Sequence, residues 1–453
     1  MINIDKKIFR GNDIRGKVDI DITTEVAYVL GLAFGSYIKE MNKFKCVVGH
    51  DNRPSSNSLS ESLIKGITET GVDVLYLDLV TSPMFYFAGM KYEIDCGVMV
   101  TASHNPSSDN GFKLIFKDYN NGCGEEITEF YNFVREGNFS YGEGTVTNIN
   151  IEKEYLEKIK SSLNFGDRKL RIAVDCANAS TTVIAKQVFD MFDLETHYLF
   201  LEPDGTFPNH HPDPQVEENL TDLKKYVVEN NLDLGLAFDG DGDRIGIVDE
   251  KGNQVVADKN MIIVARDLIP KLEDKRLLFD VKCSKAIEDE VIKLGGIPVL
   301  YKNGSAFLKK KIRTDNIKFG GEFSGHLFFN DRYLGYDDGI YCGLRLAEIL
   351  SHTNKKYSEL LDGITHYYNT PEIKVEVSDD YKFELVDKVK DYCISKNYNI
   401  NDIDGVRVTF EDGWALVSCS NIGPNLTIRF EATTEERLNE IKNEFMDIIE
   451  KNR

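Results

Sequence analysis

Short runs rich in valine, isoleucine and leucine recur along the chain at Cys46–Gly49, Val72–Val80, Gly97–Val100, Arg171–Val174, Leu232–Phe238 and Leu277–Val281. They are continuous rather than alternating, and amphipathic stretches of helical length separate them. That pattern predicts parallel strands buried on both faces and joined by helices, so the class is α/β. Three of the runs end on an acidic residue, Asp51, Asp175 and Asp280. The spacing of roughly 105 to 125 residues is that of one domain, a hint of repeated α/β units.

From Ile373 the texture changes. The chain reads as strand (Ile373–Val377), helix (Tyr381–Lys396), strand (Gly405–Phe410), Asp412-Gly413 turn, strand (Trp414–Cys419), strand (Asn425–Phe430) and helix (Thr434–Lys451). Antiparallel strands with two helices make a small α+β domain. Polar, turn-rich stretches at 142–150, 248–253 and 368–371 divide the chain into 1–150, 151–252, 253–368 and 369–453: three similar mixed α/β domains and a C-terminal α+β domain.

The length of 453 residues supports several separate cores, and 42% hydrophobic with 28% charged residues is ordinary globular composition. Disorder and fibrous folds are excluded. The net charge of −21 repels nucleic acid and anionic membrane surfaces, so an anionic substrate would need a local cluster of Arg, Lys and backbone N–H groups. The N-terminal residues do not read as a signal peptide, and Tyr28–Ile38 is too short and Gly-interrupted to span a bilayer, which predicts a cytoplasmic protein. Eight scattered cysteines without a C-x-x-C pair read as buried thiols rather than a zinc site or disulfide framework.

The sharpest chemical feature is Asp239-Gly240-Asp241-Gly242-Asp243-Arg244, directly after Leu234–Phe238. Carboxylates at i, i+2 and i+4 on extended backbone share a side, and the glycines let them converge. Three hard oxygen donors suit an octahedral ion that keeps positions for phosphate or water, which points to Mg²⁺. An EF-hand would place Asp239, Asp241, Asp243 and Glu250 at its positions 1, 3, 5 and 12, but Arg244 occupies the glycine position and the flanks read as strands. A solvated acidic turn is the plainer alternative.

A second segment, Gly97-Val98-Met99-Val100-Thr101-Ala102-Ser103-His104-Asn105-Pro106, delivers a serine from a buried strand into a polar loop, where ligands of open α/β sheets bind. Ser103 is a candidate nucleophile, although a serine beside Asn-Pro more often bonds its own turn. A Ser-His hydrolase lacks its G-x-S-x-G here. Gly320-Gly321-Glu322-Phe323-Ser324-Gly325-His326 presents the donors and acceptors that vicinal sugar hydroxyls need, or forms a tight polar turn. Arg10 and Arg15 in Phe9–Gly16 are candidate phosphate clamps.

Together these four blocks resemble the α-D-phosphohexomutase superfamily over nearly the whole chain, most closely its bacterial phosphomannomutase/phosphoglucomutase branch. His210-His211-Pro212-Asp213-Pro214, Asp337-Asp338-Gly339-Ile340-Tyr341, Asp404–Val408 and Arg429-Phe430-Glu431-Ala432 are similar too. The resemblance implies four domains around a central cleft, and a phosphoserine at Ser103 beside Mg²⁺ held by Ser103, Asp239, Asp241 and Asp243. It also implies interconversion of hexose 1-phosphate and hexose 6-phosphate through a hexose 1,6-bisphosphate, which doubles as activator. Arg15, Lys113 and Arg244 would neutralise the phosphoryl group, Lys113 would also assist proton transfer, and His104 joins the catalytic set. Glu322, Ser324, His326, Lys302, Ser420, Asn421 and Arg429 would bind substrate. The partner is then a small-molecule hexose phosphate, taken up by a monomer or dimer. Related readings are a phosphoglucosamine mutase, a sugar-bisphosphate synthase or a non-catalytic sugar-phosphate sensor.

Four departures from the family pattern stand out. The distal phosphate loop, usually R-x-S-N-T-x-P, is Ser418-Cys419-Ser420-Asn421-Ile422-Gly423-Pro424, so its arginine is lost. K-x-G-H-S appears as Lys302-Asn303-Gly304-Ser305-Ala306, Asn12 replaces a tyrosine, and His50 replaces the arginine of G-R-D-x-R. Losing one bidentate, charge-assisted pair costs about 1.5–3 kcal/mol, which activity can survive. Lys302, Lys309, Lys310 and Lys311 are candidate replacements for the lost charge, against the plainer reading of a solvated helix face.

Overall fold

The computed structural model of the chain describes residues 4–378, 380–420 and 423–453. They form two compact units, Met1–Ala257 with Ser324–Leu360, and Asp258–Phe323 with Leu361–Arg453.

The first unit holds two mixed sheets. In the first sheet the strands run in the order Ile14–Lys17, Asp109–Lys117, Gly97–Val100, Lys45–His50, Asp73–Leu79, Val146–Asn148. The last four are mutually parallel, with every position of Gly97–Val100 buried; the apolar runs predict three of them, while Val146–Asn148, exposed throughout, falls in the stretch read as a turn-rich boundary. Asp109–Lys117 is antiparallel to both of its neighbours. The loop between Val100 and Asp109 is too short for a crossover helix, so the chain can only turn back beside the strand it has left. That reversal sets Lys113 opposite Met99, one turn of chain away from Ser103.

In the second sheet the order is Gln254–Val255, Ile245–Asp249, Leu234–Phe238, Arg171–Asp175, Glu195–Leu199. Leu234–Phe238 is parallel to Arg171–Asp175 and antiparallel to Ile245–Asp249, and both members of that hairpin are buried at every position. The acidic hexapeptide 239–244 is its connection. Helix Gly339–Ser351 lies on the hairpin, and Gly343 permits the approach: an added Cβ would come 3.0 Å from Leu236 Cδ1. Asp338 caps this helix by accepting from Tyr341 N, while its other oxygen accepts from Tyr155 and Tyr333 hydroxyls at 2.8 Å each. Burial pushes the Asp338 carboxyl up to about 6.

The second unit contains parallel strands Ile297–Tyr301, Arg276–Asp280 and Phe319–Gly321, in that order. Its C-terminal sheet is antiparallel, in the order Tyr368–Asn369, Asn425–Ala432, Gly413–Cys419, Val406–Phe410, Asn399–Asn401, with Ile373–Glu376 also on Asn425–Ala432. Helices Lys382–Ser395 and Glu435–Asn452 close one face, burying Leu385, Val389, Phe445 and Ile449 against Val408, Val417, Ile428 and Phe430. The two edge strands at 368–369 and 399–401 are short and largely solvent-facing, so they leave no apolar run to read. The fold class is the expected one: α/β domains followed by an α+β C-terminal domain. Among the described residues no helix is long and apolar enough to cross a membrane. All eight cysteines are free thiols, seven of them buried.

Candidate active site

Ser103 sits at the end of strand Gly97–Val100 with φ +50°, a left-handed backbone that a serine adopts only when its surroundings enforce it. Arg53 does the enforcing. Its Nη2 donates to the carbonyls of Ser103 (2.6 Å) and Asn105 (2.7 Å), its Nη1 to those of Pro106 (2.6 Å) and Asp109 (3.1 Å), and its Nε to Asp51 Oδ2 (3.0 Å). Thr101 Oγ1 donates to the same Asp51 oxygen at 2.6 Å and accepts from Ser103 N at 2.9 Å. Arg53 was legible only as part of the altered G-R-D-x-R segment, and nothing in the pattern assigns it this role. His50, the departure in that segment, is buried and lies with Nδ1 2.7 Å from the Asp51 carbonyl.

The acidic loop meets the serine loop directly. Ser103 Oγ donates to Asp239 Oδ2 at 2.8 Å, and Asp239 Oδ1 accepts from the backbone N–H of Gly242 (3.0 Å) and Arg244 (3.1 Å). Lys113 Nζ donates to Asp241 Oδ2 (2.6 Å) and Asp243 Oδ2 (2.5 Å), and Ser82 Oγ donates to Asp241 Oδ2 as well. Ligand atoms of Asp239, Asp241 and Asp243 all lie within 4.8 Å of one another, and all three residues are buried. Among the described residues, Asp241 Oδ1 and Asp243 Oδ1 are buried without a hydrogen-bond partner, with His326 Nδ1 3.6 Å from the latter. Buried carboxylate oxygens left in that state are what a small hard cation satisfies, so the donor set fits Mg²⁺. Glu250, the would-be twelfth EF-hand position, instead holds Ser358 N and Oγ.

Burial, with Asp243 and Asp241 close by, pushes the Asp239 carboxyl up to about 8. Burial alone would depress the Lys113 ammonium, but Asp241 and Asp243 reverse that and hold it well above its ordinary value. Lys113 is thus a buried positive charge held against Asp241 and Asp243, suited to neutralising phosphoryl oxygens. His104, with Nδ1 3.3 Å from Ser103 Oγ, is driven well below the ordinary histidine range by burial and by Arg244 and Arg15, so its ring is neutral.

The remaining candidates of the first unit gather around this centre. Arg15 donates to Ala102 O (3.1 Å) and Asn105 Oδ1 (3.0 Å) while pairing with Asp13. Arg244 Nε donates to His326 Nε2 at 2.9 Å, and His326 Nδ1 lies 2.9 Å from Asp337 Oδ2; burial alone would depress the imidazole, but Asp243 and Asp337 raise it above its ordinary value. Ser324 Oγ is buried without a partner among the described residues.

The two loops touch through backbone, which explains Gly240: a Cβ there would lie 2.2 Å from the Ser103 carbonyl oxygen. Gly240→Ala should force the loops apart and lower turnover by about tenfold or more while the protein stays folded. An initial-rate assay beside a thermal melt reads both, and wild-type turnover would refute the close fit.

The second unit carries the others. Glu322 is buried and its Oε1 accepts Gly304 N at 2.7 Å. Lys302 is exposed, with Nζ 5.7 Å from the Phe307 ring centroid. Arg429 donates to the Lys282 carbonyl and stacks on Phe323 at 3.9 Å. Ser418 turns its hydroxyl to Thr427 O at 3.4 Å, in its own sheet. Ser420 is buried, and its carbonyl accepts from Lys382 Nζ at 2.9 Å, a contact the sequence pattern does not mark. Asn421 and Ile422 lie outside the described residues. Of the lysine run, Lys309 is buried and Lys311 pairs with Asp315 at 2.7 Å.

Comparison with known proteins agrees with this geometry. Family models of phosphoglucomutase/phosphomannomutase match in series: alpha/beta/alpha domain I at residues 6–135, domain II at 153–252, domain III at 257–368 and the C-terminal domain at 372–448. A phosphomannomutase/phosphoglucomutase of Pseudomonas syringae is 39% identical, covering 97% of this chain and 94% of that protein. A phosphoglucomutase of Neisseria meningitidis is 35% identical, covering 100% and 98%. A solved phosphoglucomutase/phosphomannomutase family protein from Burkholderia thailandensis superposes with a TM-score of 0.93 at 33% identity, covering 99% of this chain and 98% of that one. With its serine loop, acidic triplet and all four domain signatures in order, the chain belongs to the phosphoglucomutase/phosphomannomutase family.

Proposed function

We propose that the protein is a hexose-phosphate mutase, an isomerase that moves a phosphoryl group between C1 and C6 of glucose or mannose through a phosphoserine at Ser103. The observation that carries this reading is the 2.8 Å contact between Ser103 Oγ and Asp239 within a buried triplet of carboxylates. In the first half-reaction a sugar hydroxyl attacks the phosphoserine phosphorus. The Oγ–P bond breaks, a sugar O–P bond forms, and hexose 1,6-bisphosphate results. In the second, Ser103 Oγ attacks the other phosphoryl group and the serine ester is restored. Hexose 1,6-bisphosphate also serves as activator, because it can phosphorylate a bare Ser103.

Asp239, Asp241 and Asp243, with an oxygen at Ser103, would hold Mg²⁺, which supplies Lewis-acid neutralisation of the phosphoryl oxygens. The chain's own residues do the rest. Lys113 and Arg244 add fixed positive charge, and Arg15 holds the loop of Ser103 through Ala102 and Asn105. With Asp239 committed to the cation, the neutral His104 ring, its Nδ1 3.3 Å from Ser103 Oγ, is the group in reach to take the hydroxyl proton. Roles in sugar and distal-phosphate binding for Glu322, Ser324, His326, Lys302, Ser420, Asn421 and Arg429 rest on the family motifs. The four-part division of the chain and a cytoplasmic location belong to the same proposal.

The test is a coupled assay with glucose 1-phosphate and mannose 1-phosphate, Mg²⁺ and a trace of bisphosphate. Formation of the 6-phosphates with a bisphosphate-dependent lag is expected. Silence with both, or conversion of glucosamine 1-phosphate alone, would overturn the assignment.

A further inference from the structure

Asn303 occupies the position that the K-x-G-H-S motif leaves open. Oriented so that both neighbouring carboxylates meet a donor, its amide nitrogen lies 2.7 Å from Glu322 Oε1 and 3.2 Å from Asp280 Oδ2. Glu322 Oε1 takes a second donor from Gly304 N, at a residue whose φ of +125° only glycine adopts easily. Asp280 is anchored in turn by Lys282 N (3.1 Å), Cys283 Sγ (3.1 Å) and Phe323 N (3.3 Å). The Asn303 backbone is itself pinned, its N–H donating to Asp404 Oδ2 at 2.9 Å.

Two buried carboxylates this close repel each other unless a donor stands between them. The same crowding is visible in Asp280, whose carboxyl is pushed up to about 6 by burial and by Glu322. We propose that Asn303, backed by Asp280, is a positioning residue for sugar recognition: its amide bridges the two carboxylates and consumes Glu322 Oε1, leaving Oε2 as the acceptor for a sugar hydroxyl. This rests on the mutase reading of the Glu322 loop and adds to it the residues that aim the carboxylate. A side chain of the same size without donors frees Glu322 to swing away from Asp280. An aspartate at 303 does so more forcefully, by adding a third negative charge.

The experiment measures kcat and KM for glucose 1-phosphate, and inhibition by inorganic phosphate, in wild type, Asn303→Leu and Asn303→Asp. Expected is a KM raised about tenfold or more in both variants, with kcat within about twofold of wild type. The inhibition constant of inorganic phosphate, which has no sugar hydroxyl, should not change. An unchanged KM overturns the proposal, as does an equal weakening of phosphate inhibition, because that marks general damage to the site. If Asn303→Leu fails to fold, the isosteric Asn303→Asp alone decides. Should wild type itself prove inactive and unphosphorylated, the mutase reading falls separately. Calorimetric titration with glucose 6-phosphate then decides the role of Asn303, and equal affinity in wild type and variants refutes it.

Discussion

Purified wild-type protein should carry one phosphate by intact mass and Ser103→Ala none, and the variant's mutase rate should fall by about 10⁴-fold or more. The size follows from chemistry. Without Oγ there is no covalent way-station, and direct transfer between two hydroxyls of one sugar would need both to reach the same phosphorus. The fold should not notice the change. Among the described residues the Ser103 hydroxyl hydrogen-bonds only with Asp239 and His104, whereas the loop's shape depends on its backbone and Arg53. A melting temperature near wild type is therefore part of the expectation, and a phosphate that persists on the alanine variant would place the esterified residue elsewhere.

Replacing Asp241 with asparagine should raise the Mg²⁺ concentration for half-maximal activity by about a hundredfold, and chelation of the wild type should abolish turnover reversibly. Asp241 Oδ2 already receives Lys113 and Ser82, so the oxygen available to a cation is the unpartnered Oδ1. An amide at this position loses the negative charge and sets an NH₂ group against either the cation or Lys113. Titrating activity with Mg²⁺ reads the shift directly. A variant with the wild-type requirement would remove Asp241 from the ligand set.

How much of this was legible beforehand depended on how local the signal was. The strands that carry Ser103 and the acidic loop are uninterrupted apolar runs, and runs of that kind announce burial by themselves. The acidic triplet was equally plain as a pattern, since carboxylates two apart on extended backbone share a side, whereas their burial is visible only in the structure. Asp109–Lys117 was harder, because its buried polar members break the apolar pattern: Lys113 turns to Asp241 and Asp243, and Asn110 to the hydroxyls of Ser55 and Ser56. Arg53 was invisible as an organiser. Its four carbonyl partners are backbone atoms 50 to 56 residues away, and backbone groups leave no trace in residue type. The same holds for Lys382 beneath Ser420 and for Asn303 between two acids that are distant in the chain. Ser418 shows the opposite limit: its difference from the family was read at once, but only the structure shows its hydroxyl engaged within the sheet.

The double grip of Lys113 on Asp241 and Asp243 has a consequence for how the protein lives with its ion. An internal ammonium offsets part of the repulsion among the acids, so loss of a bound divalent ion would not by itself force the loop open. Chelation would then silence the catalyst without unravelling it, and resupply would restore activity at the pace of diffusion rather than of refolding. The ambient level of the divalent ion would thus set how many molecules work at a given moment, from a standing reserve that is already assembled.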